Sequence, residues 1–239
     1  MADRDMRAEV AWGSRMLALD GHADMTLGHL SARLDDGRVL MKRSEIALSE
    51  VTAEDVLSID LEGNKLEGRG RIHLEAVLHT VVYRNRSDVG AVVHSHPPFA
   101  TALGATDGQL ELLSHDAVLF HDGLGVFDGP AELITSAEQA QAVASALGDR
   151  RAVLLRNHGV LTVGKDVRWA VITAMTLERA LRLQLIAASL GPLRPMDGEL
   201  AKQMFPSKYH DGLIEDYWQY LIREVRRRGL ASGMPYDGQ

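Results

Sequence analysis

Apolar residues recur along the chain at two spacings, one typical of helices and one of short strands. The clearest helical stripe comprises Leu74, Val77, Leu78, Val81 and Val82 and predicts a helix over residues 72–85. Further helices are expected over residues 3–19, 136–147 and 166–190. The second of these opens with Ser136 and Gln139, the pattern of a capping box, and the third ends at Gly191-Pro192.

Short apolar runs between these helices predict strands. Residues 27–34 and 38–44 flank Asp36-Gly37, a pair that favours a tight hairpin turn. Residues 56–60 and 91–96 predict two more strands, and a further pair should meet at the sharp turn Asn157-His158-Gly159. We therefore expect an α/β fold with three α/β/α layers, in which helices pack on a largely antiparallel sheet.

The composition excludes several classes of protein. The 239 residues, 46% of them hydrophobic, suffice for one domain with a substantial core. A net charge of −7 argues against a nucleic-acid partner and against a polybasic membrane anchor. The absence of cysteine excludes disulfides, thiolate metal sites and a cysteine nucleophile. A charged N-terminal segment and the lack of a long apolar run predict a soluble, cytoplasmic protein without a signal peptide.

Three histidines form a candidate metal site. His94 and His96 lie two residues apart on a predicted strand, so their side chains leave the same face. Such a pair can share a metal, although two ordinary surface histidines would show the same spacing. His158 strengthens the metal interpretation, because a turn before Gly159 can direct its ring across the sheet. With no cysteine to compete, three imidazoles suit zinc, manganese, cobalt or iron and leave a position for substrate.

A carboxylate accompanies these histidines on the preceding helix. Glu75 and His79 are four residues apart, so both should lie on one helical face. A solvated surface charge is the simpler interpretation of Glu75. Beside a metal, however, its carboxylate becomes a fourth ligand or a general base.

Taken together, these motifs resemble the class II aldolase/adducin superfamily over roughly residues 8–190. The motifs are GHLSAR at 28–33, Glu75, H-S-H at 94–96 and L-R-N-H-G at 155–159. The resemblance implies that His94, His96 and His158 bind one catalytic divalent metal per chain. It also implies an acid–base role for Glu75, which stands 19 residues before His94 as the family's glutamate does. The implied assembly is a homotetramer with its sites at subunit interfaces.

The positions that hold the phosphate in the family's sugar-phosphate aldolases differ here. They are occupied by Gly28-His29, by residues 42–45 and by His73-Leu74. Glu45 would repel a dianion and Leu74 offers no donor, so a phosphorylated sugar is disfavoured. The chain resembles more closely the decarboxylase-like branch, which acts on hydroxylated aromatic or pyridine carboxylates such as dihydroxyphthalates.

The expected function is therefore a metal-dependent carbon–carbon lyase, with decarboxylation preferred, acting on a small carboxylate. One alternative is an aldolase for an unphosphorylated hydroxy-keto acid or sugar, and another is an iron-dependent oxidative member of the family. A non-catalytic, adducin-like binding module is the alternative from a different class. Retention of the three histidines and Glu75 argues against that module.

Further residues are candidates for contact with substrate. His115 is the expected proton donor, since it lies 19 residues after His96, where the aldolases carry a tyrosine; a loop histidine without a role is the alternative. The expected substrate-binding residues are His29, Arg43, Ser44, His73, His79 and Tyr217. Arg43 would meet a carboxylate through its guanidinium fork, although a solvated hairpin arm is equally compatible. His22 and His210 are expected at the surface.

The chain is expected to divide into a metal-binding domain over residues 1–200 and a helical tail over residues 201–239. In the tail, one helical face should consist of Leu213, Tyr217, Tyr220 and Leu221 and pack on the domain or on a neighbouring subunit. In family members a C-terminal segment can close over the adjacent subunit's cavity, a role for Tyr217 or Tyr209 here.

Overall fold

A single mixed sheet of eight strands organises the computed structural model, which describes residues 2–234. The strands are β1 (His29–Arg33), β2 (Val39–Lys42), β3 (Val56–Ile59), β4 (Lys65–Glu67), β5 (Ala91–Ser95), β6 (Gly125–Phe127), β7 (Ala152–Leu155) and β8 (Gly159–Gly164). Their spatial order is β4-β3-β2-β1-β5-β8-β7-β6. Neighbouring strands are antiparallel except β6 and β7, which run parallel. The sheet is therefore mixed and mostly antiparallel.

Seven α-helices cover this sheet within the described residues. They are α1 (Ala2–Leu19), α2 (Ala76–Asn85), α3 (Pro98–Gly104), α4 (Ala137–Leu147), α5 (Val167–Leu190), α6 (Gly198–Lys208) and α7 (Asp211–Arg227). The predicted ends of α1, α4 and α5 are confirmed to within one residue. In α4 the predicted capping box is present, since the Ser136 hydroxyl accepts from the Gln139 amide.

The helices form a layer on each face of the sheet, as expected for an α/β/α fold. Alternation along β5 separates the two cores, because Val93 faces the layer that contains α1 and α5 while Val92 faces α2 and α4. None of the helices in residues 2–234 has the length and apolar composition that crossing a membrane requires.

The register of the central strands places two histidines side by side. On β1, His29 is paired directly with His94 on β5, and His94 is paired on its other side with Leu161 on β8. Since side chains alternate along a strand, His29, Ser31 and His94 all point towards the layer of α2. The helix α2 thus stands over the histidine-rich end of these strands.

Three elements were absent from the sequence prediction, namely β4, β6 and α3, and the helix α2 was predicted to begin earlier than it does. The strand β4 has three exposed residues and carries no apolar alternation. The helix α3 starts at Pro98, because proline is well tolerated in the first turn of a helix. The helix α2 begins at Ala76 and not at residue 72. As a result, Leu74 is exposed and Glu75 becomes the N-cap residue.

The predicted apolar face of the C-terminal helix is wrong in part. In α7 the buried residues are Ile214, Trp218, Leu221 and Val225, which pack on the core shared with α1 and α5. Tyr220 is half exposed. The prediction centred the apolar face on the tyrosines, whereas the buried face of α7 consists of its tryptophan and of aliphatic residues.

Candidate metal centre and substrate cavity

Three imidazoles meet at the end of the central strands. His94 is on β5, His96 follows directly after it, and His158 lies in the turn between β7 and β8. One nitrogen of each ring lies within 4.8 Å of the others. The rings of His94 and His158 have centroids 5.0 Å apart and meet edge to face. The structure therefore brings together the three residues that the sequence selected as metal ligands.

The turn that carries His158 depends on two special backbone positions. Asn157 adopts a positive φ of 56°, which asparagine tolerates better than most residues. A Cβ at Gly159 would lie 2.5 Å from His96 Cδ2 and 2.6 Å from the Ser95 carbonyl oxygen. Only glycine lets the turn approach β5 this closely, so the prediction that these two residues shape the turn is confirmed.

Glu75 lies against two of the three imidazoles. Its Oε2 is 3.6 Å from His94 Nε2, and its Oε1 is 3.6 Å from His158 Nε2. The Ile134 amide donates a hydrogen bond to Oε1 at 2.8 Å. Burial alone would raise the pKa of Glu75, but the two histidines and the Ile134 amide hold it well below its usual range. The carboxylate is therefore ionised at neutral pH.

The donor set fits a divalent cation. His94 Nδ1 lies 3.0 Å from the Val160 carbonyl oxygen, so Nδ1 donates to this carbonyl and Nε2, which faces Glu75, is the nitrogen available to a metal. That buried Nε2 has no hydrogen-bond partner among the described residues, and a buried acceptor without a partner is costly. Burial, together with His94 and His158, lowers the pKa of His96 to about 4, so His96 is neutral near pH 7. Three imidazoles and one carboxylate form a typical ligand set for transition metals.

A cavity of about 730 Å³ opens beside this cluster. Its walls include the polar residues Asp24, Thr26, His29, Ser44, His73, Glu75, His96, Thr101, Asn157 and His158. The apolar part of the wall consists of Leu27, Ile72, Leu74, Ala131 and Leu133, and Arg71 is the cationic residue. Of the predicted substrate-binding residues, His29, Ser44 and His73 line this cavity.

His79 is placed behind the cavity wall. It is completely buried, and its Nε2 lies 2.7 Å from Nδ1 of His29. Its other nitrogen, Nδ1, lies 2.6 Å from Ser31 Oγ, which in turn is 2.7 Å from the Tyr83 hydroxyl. His79 therefore contacts a residue of the cavity wall, and within this chain it does not line the cavity.

Two residues of the site were missed by sequence reasoning. Asp24 lies in the loop after α1 and accepts a hydrogen bond from His96, with Oδ2 3.1 Å from Nδ1. Lys42 is fully buried, where its Nζ donates to the carbonyl oxygens of Thr26, Arg43 and Ile46 and lies 3.1 Å from His73 Nε2. A loop aspartate carries no pattern, but the position of Lys42 in an otherwise apolar strand was a usable signal.

The role predicted for Arg43 is not supported by its contacts. Its guanidinium pairs with Asp55 at 3.0 Å and with Glu45 at 3.1 Å, and it does not line the cavity. Glu45 also lies outside the cavity wall, where it accepts from the Arg71 amide. The charge of Glu45 is thus offset by Arg43 and does not face the cavity, which corrects the sequence argument that it would repel an anion there.

Two other predicted residues lie away from the cavity of their own chain. His115 is exposed, and its carbonyl oxygen accepts from the Tyr209 hydroxyl at 3.3 Å. Tyr217 lines a separate cavity together with Asp20 and Arg179. One chain by itself therefore does not bring His115 or Tyr217 to the metal centre.

The surface prediction for His22 is wrong, whereas the one for His210 is confirmed. His22 is buried, and its Nδ1 lies 2.9 Å from Ser95 Oγ, directly below the strand end that carries His96. His210 is exposed and caps α7 by accepting from the Leu213 amide.

Comparisons with known proteins agree with this geometry. Residues 8–185 match the model of the family described as "Class II Aldolase and Adducin N-terminal domain". The chain is 30% identical over 183 residues to a 5-deoxy-D-ribulose 1-phosphate aldolase of Bacillus thuringiensis serovar kurstaki, covering 76% of this chain and 84% of the relative. It is 31% identical over 207 residues to a 3,4-dihydroxyphthalate decarboxylase of Arthrobacter keyseri, covering 77% and 79%.

A solved structure extends the likeness to almost the whole chain. The aldolase II superfamily protein from Pseudomonas syringae superposes with a TM-score of 0.84 at 26% identity, covering 95% of this chain and 94% of that one. The similarity in fold thus includes the sheet, both helical layers and the C-terminal helices.

Proposed function

Since the chain belongs to the class II aldolase and adducin family, we propose that it is a metal-dependent carbon–carbon lyase that decarboxylates a small hydroxylated aromatic or pyridine carboxylate. The observation that carries this proposal is the convergence of His94, His96, His158 and Glu75 at one end of a partly apolar cavity. A histidine cluster beside an open cavity leaves room for a substrate to approach the ion.

In this proposal the three imidazoles hold one divalent transition ion per chain, which can be zinc, manganese, cobalt or iron. Glu75 is either its fourth ligand or the base beside it. When bound, such an ion supplies a Lewis acid that withdraws electron density from a substrate oxygen. The neutral state of His96 favours binding, because only a deprotonated ring nitrogen can be a ligand.

Glu75 is the residue proposed to move the proton. Its ionised carboxylate can accept the proton of a substrate hydroxyl at Oε2. As the bond to the carboxylate carbon breaks, the electron pair stays on the ring and CO₂ leaves. The protonated Glu75 then delivers its proton to that ring carbon, and the hydroxyl regains a proton from water after release.

The cavity wall supports an aromatic substrate. Leu27, Ile72 and Leu74 offer a surface without hydrogen-bond donors, which suits the face of a flat ring. Ser44 and His73 also line the cavity and can meet the ring's polar substituents. A polyhydroxylated sugar would leave more of its hydroxyls unpaired against this wall.

A second candidate is aldol cleavage of an anionic hydroxy-keto compound. Arg71 at the cavity favours it, because its side chain is largely exposed and, among the residues that the structure describes, its ion pair is a loose contact of 3.4 Å with Glu45. The similarity to a 5-deoxy-D-ribulose 1-phosphate aldolase points the same way. The same Glu75 carboxylate would then remove the proton of the hydroxyl next to the bond that breaks.

The homotetramer is also part of the proposal. His115 and Tyr217, which do not reach the cavity of their own chain, would then serve the cavity of an adjacent subunit, with residues 201–239 as the tail that closes over it. Light scattering coupled to gel filtration tests the assembly. A monomeric but fully active enzyme would contradict both assignments.

Product analysis tests the reaction. The purified protein, loaded with each metal in turn, is incubated with hydroxybenzoates, dihydroxyphthalates and hydroxylated pyridine carboxylates, and CO₂ is monitored. Release of CO₂ supports decarboxylation, whereas release of an aldehyde or pyruvate from hydroxy-keto compounds supports the aldolase. Metal analysis should find about one ion per chain. His96→Ala should lose the ion and His210→Asn, which keeps a helix-capping side chain, should retain it.

A further inference from the structure

An unbroken row of hydrogen bonds leads from the cavity wall into the core. It joins His29 to His79, His79 to Ser31 and Ser31 to Tyr83, over 2.7, 2.6 and 2.7 Å. All four side chains are buried. The row exists because His29 and Ser31 are two apart on β1 while His79 and Tyr83 are four apart on α2, so each pair shares a face and the two faces meet.

The direction of these hydrogen bonds is set at the Tyr83 end. Burial raises the pKa of the Tyr83 hydroxyl above its ordinary value, so the hydroxyl keeps its proton. Ser31 Oγ is the side-chain partner of that hydroxyl, and the Val92 backbone, which lowers the pKa of Tyr83 by donating to its oxygen, cannot accept the proton. A buried hydroxyl proton needs an acceptor. Tyr83 therefore donates to Ser31.

The donation from Tyr83 fixes the position of the proton on each of the other three residues of the row. Ser31, which receives from Tyr83, donates its own proton to His79 Nδ1. A neutral imidazole has one protonated nitrogen, so the proton of His79 is on Nε2 and is donated to His29 Nδ1. Both rings are buried and their hydrogen-bond partners along the row are neutral groups, and a buried charge without a charged partner is costly, so both rings are neutral. The proton of His29 must then be on its remaining nitrogen, Nε2.

We propose that His29 presents Nε2–H to the cavity as a fixed hydrogen-bond donor for an anionic oxygen of the substrate, a carboxylate or a developing oxyanion. His79, Ser31 and Tyr83 are positioning residues that set this tautomer. The assignment of the substrate oxygen rests on the proposed function, whereas the tautomer itself does not. His29 is well placed, since its ring lies on the cavity wall 4.3 Å from His73 and 5.0 Å from His94, centroid to centroid.

The same tautomer separates two possible metal sites. His29, Glu75 and His94 also lie close enough to form a ligand group. A ring nitrogen that carries a proton cannot bind a metal. His29 is thereby excluded as a ligand and remains available to the substrate.

Nitrogen NMR on the full-length protein tests the tautomer directly. With ¹⁵N-labelled histidine, long-range proton–nitrogen correlations show which ring nitrogen is protonated, and His29→Gln assigns the signals. We expect His29 and His79 both as the Nε2–H form, with and without added zinc. A wild-type His29 in the Nδ1–H form would overturn the proposal.

A second experiment removes the Tyr83 hydroxyl, the donor at the inner end of the row. In Tyr83→Phe the Ser31 hydroxyl can turn either way, so the signals of His29 and His79 should shift to a mixture of tautomers. The matched control is Tyr220→Phe on the exposed side of α7, which should leave both rings unchanged. An unchanged spectrum in Tyr83→Phe would contradict the positioning role.

Binding measurements distinguish this inference from the proposed function. His29→Gln should keep the wild-type zinc stoichiometry, and loss of zinc would show that His29 is a ligand after all. With a substrate in hand, Tyr83→Phe should raise KM about three- to tenfold and change kcat less, because the donor that holds the anionic oxygen is no longer fixed. Should the protein bind no metal and turn over nothing, the proposed function fails while the tautomer result still stands.

Discussion

Asp24 fixes the orientation of His96 through a hydrogen bond of 3.1 Å between Oδ2 and Nδ1. The two residues are 72 positions apart in sequence, since Asp24 belongs to the loop that leads from α1 into β1. Because Nδ1 donates to this carboxylate, Nε2 of His96 is the nitrogen that remains free for a metal. The orientation of His96 therefore depends both on the end of β5 and on the loop that carries Asp24.

Replacement of Asp24 should therefore weaken metal binding without unfolding the protein. Asp24→Ala is expected to lower zinc affinity about 10- to 100-fold, the usual effect of losing a carboxylate behind a histidine ligand. The side chain of Asp24 is 41% exposed, so the fold should tolerate the change. Competition with a chromogenic chelator measures the affinity, and Asp35→Asn in the exposed hairpin turn is the control. Equal zinc affinity in Asp24→Ala and wild type would show that the contact does not support the ligand.

The close approach of Gly159 to β5 gives a steric prediction. In Gly159→Ala the new methyl group would meet His96 Cδ2 and the Ser95 carbonyl oxygen, neither of which can move freely. We expect a loss of about 1–3 kcal/mol in the free energy of unfolding, together with weaker zinc binding. Urea denaturation and zinc titration measure the two effects.

The control for this variant is Gly198→Ala, at the first residue of α6, where a Cβ meets nothing within 4 Å. It should bind zinc as wild type does and be at least as stable, since alanine fits this helical position. A Gly159→Ala protein that binds zinc normally would mean that His158 and His96 can separate without cost.

The carboxylate of Glu75 leads to a kinetic prediction. Glu75→Gln keeps the shape of the side chain and an oxygen that can accept from the Ile134 amide, but it removes the charge and the proton-transfer capacity. We expect kcat to fall about 10²- to 10⁴-fold, with a much smaller change in KM. Steady-state kinetics on the substrate found by product analysis measure both, and Glu62→Gln on an exposed turn is the control. If KM rises and kcat stays constant, Glu75 only binds the substrate.

The central part of the site could be predicted because it follows regular geometry. The strand alternation that places Val92 and Val93 on opposite faces also directs His94 and His96 to one side, and the glycine after His158 marks the turn. These positions depend on periodicity, which a single sequence displays directly.

The other residues around the cavity were not predicted correctly, because they lie in loops or at strand ends, where the sequence shows no regular spacing of apolar residues. Arg43 and Ser44 are adjacent after the last residue of β2, yet Arg43 pairs with Asp55 while Ser44 lines the cavity. Lys42 is polar but buried, since three carbonyl oxygens and His73 satisfy its ammonium group. Side-chain direction in a loop, and partners supplied from distant segments, are tertiary properties that no local pattern encodes.

A partly buried carboxyl group just after α1, that of Asp20, leads to a prediction about pH. Burial raises the pKa of Asp20 to about 7; Arg179 and Arg182 oppose the shift and Glu178 adds to it. The carboxyl oxygen Oδ2 has no hydrogen-bond partner among the described residues. Nearby His22 supplies no positive charge, because burial lowers its pKa to about 4. The negative end of the α1 dipole further disfavours an anion at this position.

The sign of the effect follows from proton binding. Between pH 3.8 and about 7 the folded protein keeps the Asp20 proton while the unfolded chain loses it. Stability that this group contributes below pH 3.8 is therefore lost as the pH rises to about 7, and it stays lost above. Asp20→Asn, which is neutral at every pH, should escape this loss and be more stable than wild type at pH 8, by on the order of 1–3 kcal/mol. Near pH 4 the two proteins should differ little.

Urea denaturation across this pH range gives the free energies of unfolding, with Asp35→Asn, at an exposed aspartate, as the control. Parallel curves for wild type and Asp20→Asn would show that Asp20 ionises normally in the folded protein.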